Sequence, residues 1–206
     1  MSLENVKNLV NTGKAKLIAA AVQEALDEGC GATDILTSMI EAMDIVGEKF
    51  KNGEIFVPEM LIAAKAMKKG VEGLKPHLAS GEAGALGKVV IGTVAGDLHD
   101  IGKNLVAMMI ESAGFEVIDL GVDVPADKFV EAASADGVKI VACSALLTTT
   151  MPALEATVAA LKASGKNYKV MVGGAPITQE FADKVGADAY TPDAATAAKK
   201  AKELAC

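Results

Sequence analysis

The spacing of apolar residues changes character once along the chain, near residue 88. Before that point apolar positions recur every three or four residues, the period that lays one stripe along a helix. A short helix is predicted over residues 3–10. A second is predicted over 14–27, with Ile18, Val22, Ala25 and Leu26 on one face. Glu28-Gly29-Cys30-Gly31 ends it. Thr33 fits an N-cap and Asp34 the first turn of the next helix. That third helix carries Leu36, Met39, Ile40, Met43, Val46 and Phe50 on its stripe, and Asn52-Gly53 stops it. Pro58 suits the first turn of a fourth, striped by Leu61, Ala64, Met67, Val71 and Leu74. Four amphipathic helices with short connections predict an antiparallel bundle. Residues 75–87, which hold Pro76, Gly81, Gly84 and Gly87, read as a linker.

From Lys88 onward, β-branched apolar runs alternate with helical segments. Strands are predicted over 89–94, 116–120, 140–144, 170–172 and 188–190. Helices are predicted over 103–113, 126–136, 152–164, 178–185 and 194–204. This alternation builds a parallel sheet covered on both faces. The expected fold class is α/β: an N-terminal four-helix bundle over 1–87, then a flavodoxin-like doubly wound five-stranded parallel sheet over 88–206. Ligands on such sheets bind beyond the carboxyl ends of the strands. The loops after Val94, Leu120, Ser144, Val172 and Tyr190 are therefore where chemistry is expected.

Composition narrows the partners. Among 206 residues, 20 Lys and Arg face 27 Asp and Glu, a net charge of -7, which repels phosphate backbones. Aromatic residues are 3% with no Trp, leaving few platforms for stacked bases. Nucleic acid is an unexpected partner. No signal-peptide pattern and no bilayer-length apolar run is present, so a membrane is not expected either. Cys30, Cys143 and Cys206 form no CxxC or metal-ligand spacing, which fits a reducing cytoplasm. Only two histidines exist, His77 and His99, and chemistry that needs several is excluded.

The loop after the first strand, Ala95-Gly96-Asp97-Leu98-His99-Asp100-Ile101-Gly102-Lys103, sets one histidine among carboxylates and glycines at the ligand edge. Asp97 is placed to orient His99, as carboxylates orient metal-bound imidazoles. A zinc enzyme wants three or four protein ligands, and neither a second histidine nor a thiolate is nearby. A Walker loop is excluded because Asp97 stands at its first glycine and Asn104 at its hydroxyl position. A lone histidine at a sheet edge suits a metal already held by a cofactor.

Asp97-Leu98-His99-Asp100-Ile101-Gly102 matches D-x-H-x-x-G. Ser144-Ala145-Leu146 matches S-x-L after the third strand, and Gly173-Gly174 follows the fourth. In this order the set resembles the cobalamin-binding domain of corrinoid-dependent methyltransferases. Together with the helical front half, it resembles the corrinoid proteins of methylamine, methanol, betaine and aryl-ether methyl transfer, and is similar to the cobalamin module of methionine synthase.

The resemblance implies a Rossmann-like cobalamin-binding domain under a helical cap. It implies cobalamin or a related corrinoid cycling between Co(I) and methyl-Co(III), with His99 as lower cobalt ligand and Asp97 as its hydrogen-bond partner. A hydroxyl of Thr148, Thr149 or Thr150 would extend the relay, Thr150 being favoured, although an N-cap role before Pro152 is an equal reading of it. Leu98, Asp100, Ile101, Gly102, Ser144, Leu146, Thr148, Thr150, Gly173 and Gly174 would line the cofactor and its displaced nucleotide tail. The segment from Ile55 to Met60, with Leu61 and Met67, would cover the upper face. Implied partners are a substrate:corrinoid methyltransferase, a corrinoid:tetrahydrofolate or corrinoid:thiol methyltransferase, and a reductive activator. The other readings are a cobalamin sensor or regulator and the small subunit of an adenosylcobalamin mutase.

Overall fold

The computed structural model describes residues 2–78 and 86–205. The central part of the expected linker, residues 79–85, lies outside them. The chain divides into two compact units: residues 1–85 with 112–114, and residues 86–111 with 115–206.

The first unit contains α1 (Ser2–Asn11), α2 (Ile18–Asp27), α3 (Ala32–Lys51) and α4 (Val57–Leu74). α1 packs on α2 and α3, and α4 packs on the same two helices. Three details differ from the sequence reading. α2 begins at Ile18, because residues 14–17 form turns, with the Ala15 amide on the Gly13 carbonyl and that of Leu17 on Lys14. α3 begins before Thr33: Gly31 is the N-cap and its carbonyl accepts the Ile35 amide. The stripe of α4 is rotated, with Met60, Ala63, Ala64, Met67, Gly70 and Leu74 buried and Leu61 and Val71 only partly so. Gly70 is part of the packing, since a Cβ there would lie 2.3 Å from the Met39 Cε.

The second unit is a parallel sheet of β1 (Lys88–Thr93), β2 (Glu116–Asp119), β3 (Val138–Ser144), β4 (Lys169–Gly173) and β5 (Ala189–Tyr190) in the order β2-β1-β3-β4-β5. The crossover helices are α5 (Ile101–Ser112), α6 (Ala126–Ala132), α7 (Met151–Ala163) and α8 (Gln179–Val185), and α9 (Ala194–Ala205) closes the unit. Val90, Val141 and Val172 share a core with Phe129, Leu154, Val158 and Leu161, so α6 and α7 cover one face. The alternating residues Val89, Ile91, Ile140, Ala142 and Met171 are equally buried on the other, where α9 packs on β3. Each such large buried side chain contributes roughly 1.5–3 kcal/mol. α6 is shorter than expected. Its last turn gives way to i→i+3 bonds from Ser134 and Ala135, then Gly137 at φ 83°.

Register levels the carboxyl ends of three central strands. Thr93 pairs with Ser144, and Ser144 with Gly173. The connection after β1 runs to β2 and that after β3 runs the opposite way to β4, so the loops after β1 and β3 flank the point where the winding reverses, the usual ligand crevice of such sheets.

Candidate functional site

The loop between β1 and α5 carries Asp97 and His99. Asp97 is fully buried, while the His99 side chain is 50% exposed. The His99 Nδ1 lies 2.7 Å from Asp97 Oδ1, and the His99 backbone amide donates to the same oxygen at 3.1 Å. The other carboxylate oxygen, Oδ2, accepts the Leu146 amide at 2.7 Å, the Leu147 amide at 3.3 Å and the Thr150 hydroxyl at 2.8 Å. Burial favours the neutral acid. The donors outweigh it: Leu146 first, then His99 through ring and backbone, then Thr150, so Asp97 is held well below the usual carboxylate range.

An ionised carboxylate only accepts hydrogen bonds. The proton between the two residues therefore belongs to His99 Nδ1. In the neutral imidazole that tautomer leaves the lone pair on Nε2, the form in which imidazole binds a metal. Thr93, also fully buried, donates to the His99 carbonyl at 2.9 Å and fixes the backbone at this point.

Of the three threonines considered, Thr150 reaches Asp97, while Thr148 and Thr149 are exposed. The N-cap alternative for Thr150 fails in its side chain. Thr150 occupies the N-cap position of α7, but its hydroxyl makes no capping bond. That single proton lies between Asp97 and the Leu147 carbonyl at 2.9 Å.

The remaining residues gather at the same sheet edge. Leu98 and Ile101 are 73% and 79% exposed, and Leu146 and Leu147 are 40% exposed, an apolar rim beside the histidine. Ser144 is half-buried at the end of β3. Gly174 has φ 128°, and a Cβ there would lie 1.8 Å from the Ala145 carbonyl oxygen. Gly173 is confined too, 3.3 Å from the Thr191 carbonyl by the same measure. Gly102 is open, with nothing in reach of a Cβ. Asp100 bonds to Asn104, whose amide donates to its carbonyl at 2.7 Å and whose side chain donates to its carboxylate at 3.1 Å. In the first unit, Met60 and Met67 are buried, whereas Phe56 is 69% exposed.

Sequence reasoning placed Lys103 in this loop without a role and did not find Asp119 or Asp123 as members of this neighbourhood. Lys103 is almost fully buried at the amino end of α5, and its Nζ meets both oxygens of Asp119, at 2.6 and 2.5 Å. A buried cation in a first turn opposes both the helix dipole and desolvation, so the pair with Asp119 is what makes the position tolerable. Asp123 accepts the Gly96 amide at 2.7 Å, and its own amide donates to the Asp97 carbonyl at 3.0 Å. No local motif marks these contacts.

Among the described residues, no three His, Cys, Asp or Glu side chains converge as a metal-binding group. A metal at His99 must bring its other ligands with it. An imidazole with Nδ1 engaged, an apolar rim and glycines where a Cβ would collide fit a flat, ligand-equipped metal cofactor.

Comparison with known proteins gives that class a family. Residues 87–200 match the B12 binding domain family, and residues 2–75 match a second family described in the same words. The chain belongs to the B12-binding corrinoid proteins of methyltransferase systems, whose cofactor is a corrinoid. It is 44% identical to dimethylamine corrinoid protein 1 of Methanosarcina acetivorans over 205 residues, covering 98% of this chain and 96% of the relative. A cobalamin-binding protein from Desulfitobacterium hafniense superposes with TM-score 0.82 at 32% identity, covering 98% of each chain. A chain of the methanol:cobalamin methyltransferase complex of Methanosarcina barkeri does so with TM-score 0.87 at 28% identity, covering 99% of this chain and 79% of that one. No helix among the described residues is long and apolar enough to cross a membrane.

Proposed function

We propose that this chain carries a methyl group between two methyltransferases on a corrinoid held from below by His99. The observation that supports it is the 2.7 Å contact of His99 Nδ1 with a fully buried, ionised Asp97. It fixes the ring tautomer and keeps Nε2 as the ligand atom. A bound cobalt corrinoid supplies a metal nucleophilic enough to accept a methyl group and labile enough to release it.

The chain's own residues bind and tune. Asp97 fixes the tautomer and orientation of the His99 ring, and the Leu146 amide and Thr150 keep Asp97 ionised. Leu98, Ile101 and Leu146 offer apolar contact to the macrocycle. Gly102, Gly173 and Gly174 permit close approach, with Ser144, Thr148 and Asp100 as polar neighbours of the cofactor and its tail. The helical unit over 1–87 is assigned as the cap domain.

The partners under this reading are a substrate:corrinoid methyltransferase, a second methyltransferase that passes the methyl to tetrahydrofolate or a thiol, and a reductive activator, all in the cytoplasm. A methylated amine is the donor class favoured by the name of the 44%-identical relative.

Reconstitution with hydroxocobalamin tests the reading, beside a His99→Ala variant. The wild-type chain is expected to bind with a histidine-ligated spectrum that the variant lacks. Failure to bind any corrinoid, or identical spectra, overturns it.

A further inference from the structure

The loop that carries His99 is held at both ends by one segment, residues 119–124, that runs from the end of the neighbouring strand β2 into the loop after it. At its entry, Thr93 donates its amide to the Gly121 carbonyl at 3.0 Å and accepts the Val124 amide at 3.0 Å. Asp123 then makes a reciprocal pair. Its Oδ1 accepts the Gly96 amide at 2.7 Å, and its amide donates to the Asp97 carbonyl at 3.0 Å. At the exit of the loop, Lys103 is clamped by Asp119, whose Oδ1 also accepts the Gly121 amide at 2.9 Å.

Asp123 makes these contacts at φ 53°, and among the described residues no other non-glycine residue has a positive φ. That conformation is unfavourable for an L residue, though Asp and Asn tolerate it better than most. Glycine would avoid the strain but could not reach the Gly96 amide. The position therefore requires the side chain, and strain of this kind gathers where geometry matters to function. Asp97 is thus held twice over. Its carboxylate is bound by the β3–α7 side, and its carbonyl by Asp123.

We propose that Asp123 is a positioning residue for His99, setting through Gly96 and Asp97 how firmly the imidazole is presented to the cofactor's metal. This inference rests on the lower-ligand reading of His99. Loss of the Asp123 acceptor leaves the Asp97–His99 bond in place but loosens the backbone that aims it.

The test compares wild type with Asp123→Ala, Asp123→Gly, Asp123→Asn and His99→Ala, each reconstituted with hydroxocobalamin. The readouts are the histidine-dependent absorption spectrum and the nitrogen hyperfine splitting of the Co(II) EPR signal. Exchange of the Gly96 amide in the cofactor-free protein is followed by NMR.

Asp123→Ala and Asp123→Gly are expected to lower the ratio of histidine-ligated to unligated cofactor roughly fivefold to tenfold, the scale of one lost hydrogen bond. They should also speed Gly96 exchange. Asp123→Asn keeps a carbonyl acceptor and tolerates the backbone, so it should restore both. The glycine variant relieves strain, so the test stands even if the alanine variant folds poorly. Wild-type spectra in both the alanine and glycine variants overturn the proposal, whatever the exchange rate. If His99→Ala is also spectrally unchanged, the ligand reading falls with it. A change in His99→Ala alone removes only the role of Asp123.

Discussion

At the scale of single residues, two glycines of the site make opposite demands. Gly174 has φ 128°, and a Cβ would collide with the Ala145 carbonyl. Gly174→Ala is expected to cost about 3 kcal/mol or more in thermal unfolding, cofactor or not. Gly102 lies inside α5 with open space around it. Gly102→Ala should leave the cofactor-free protein as stable as before, or up to about 1 kcal/mol more stable. Under the proposed reading the space it fills is the cofactor's, so it should nonetheless weaken hydroxocobalamin binding in a titration. Equal affinity for the two proteins would remove Gly102 from the binding surface. Asp97→Asn is expected to lose about 2–3 kcal/mol in a denaturant melt, since a side-chain amide cannot accept every donor that now surrounds the carboxylate. The D-x-H-x-x-G spacing made Asp97 and His99 legible, because they meet across two residues of one loop. Thr150 lies 53 residues from Asp97, and only the resemblance, which implies a hydroxyl after S-x-L, pointed to it. Asp123 could not be read at all. Its contact exists because β1 and β2 pair with Ile91 beside Asp119, a fact of tertiary register.

At the scale of elements, apolar periodicity set the order and type of helices and strands, while their ends followed local hydrogen bonding. Thr33 has the chemistry of an N-cap. Gly31 took the place because its carbonyl starts the ladder and its missing Cβ leaves room for Asp34, whose Oδ2 would lie 2.9 Å from it. Between α7 and β4 the tie is ionic. Asp188 Oδ2 accepts Lys162 at 2.6 Å and the Val170 amide at 2.7 Å. Burial would raise its pKa, but Lys162, Val170 and then Lys169 bring it below the ordinary value. A folded-state value below that of the unfolded chain means the tie stabilises above roughly pH 4 and is lost as pH falls further. Asp188→Asn is expected to lower stability by about 1–2 kcal/mol at neutral pH and to flatten acid unfolding. Parallel denaturation curves at pH 7 and pH 3 check it; an unchanged pH dependence would mean that other carboxylates govern acid unfolding.

For the whole molecule, every residue proposed to line the cofactor and its tail belongs to the α/β unit, 86–111 with 115–206. Free corrinoid at about one hundred times its Kd should stabilise that unit by about 2.7 kcal/mol. Calorimetry with and without hydroxocobalamin should show the shift in wild type and a smaller one in His99→Ala. Equal shifts would mean that the histidine adds nothing to binding. The change from helices to strands at Lys88 was legible because helix and strand periods differ so plainly. The latch across the β1 and β2 loops was not, since it depends on which strands become neighbours.

The surroundings of Asp97 have one further consequence. Its carboxylate takes two main-chain amides from the β3–α7 loop, a threonine hydroxyl, and the ring and amide of His99, and no lysine is among these donors. Dissolved ions screen exposed pairs such as Lys7 and Glu41, but a fully buried carboxylate ringed by dipoles lies outside their reach. The hold of Asp97 on His99 is thereby insulated from ionic strength, and under the proposed reading His99 should grip a cofactor metal as firmly at high salt as at low.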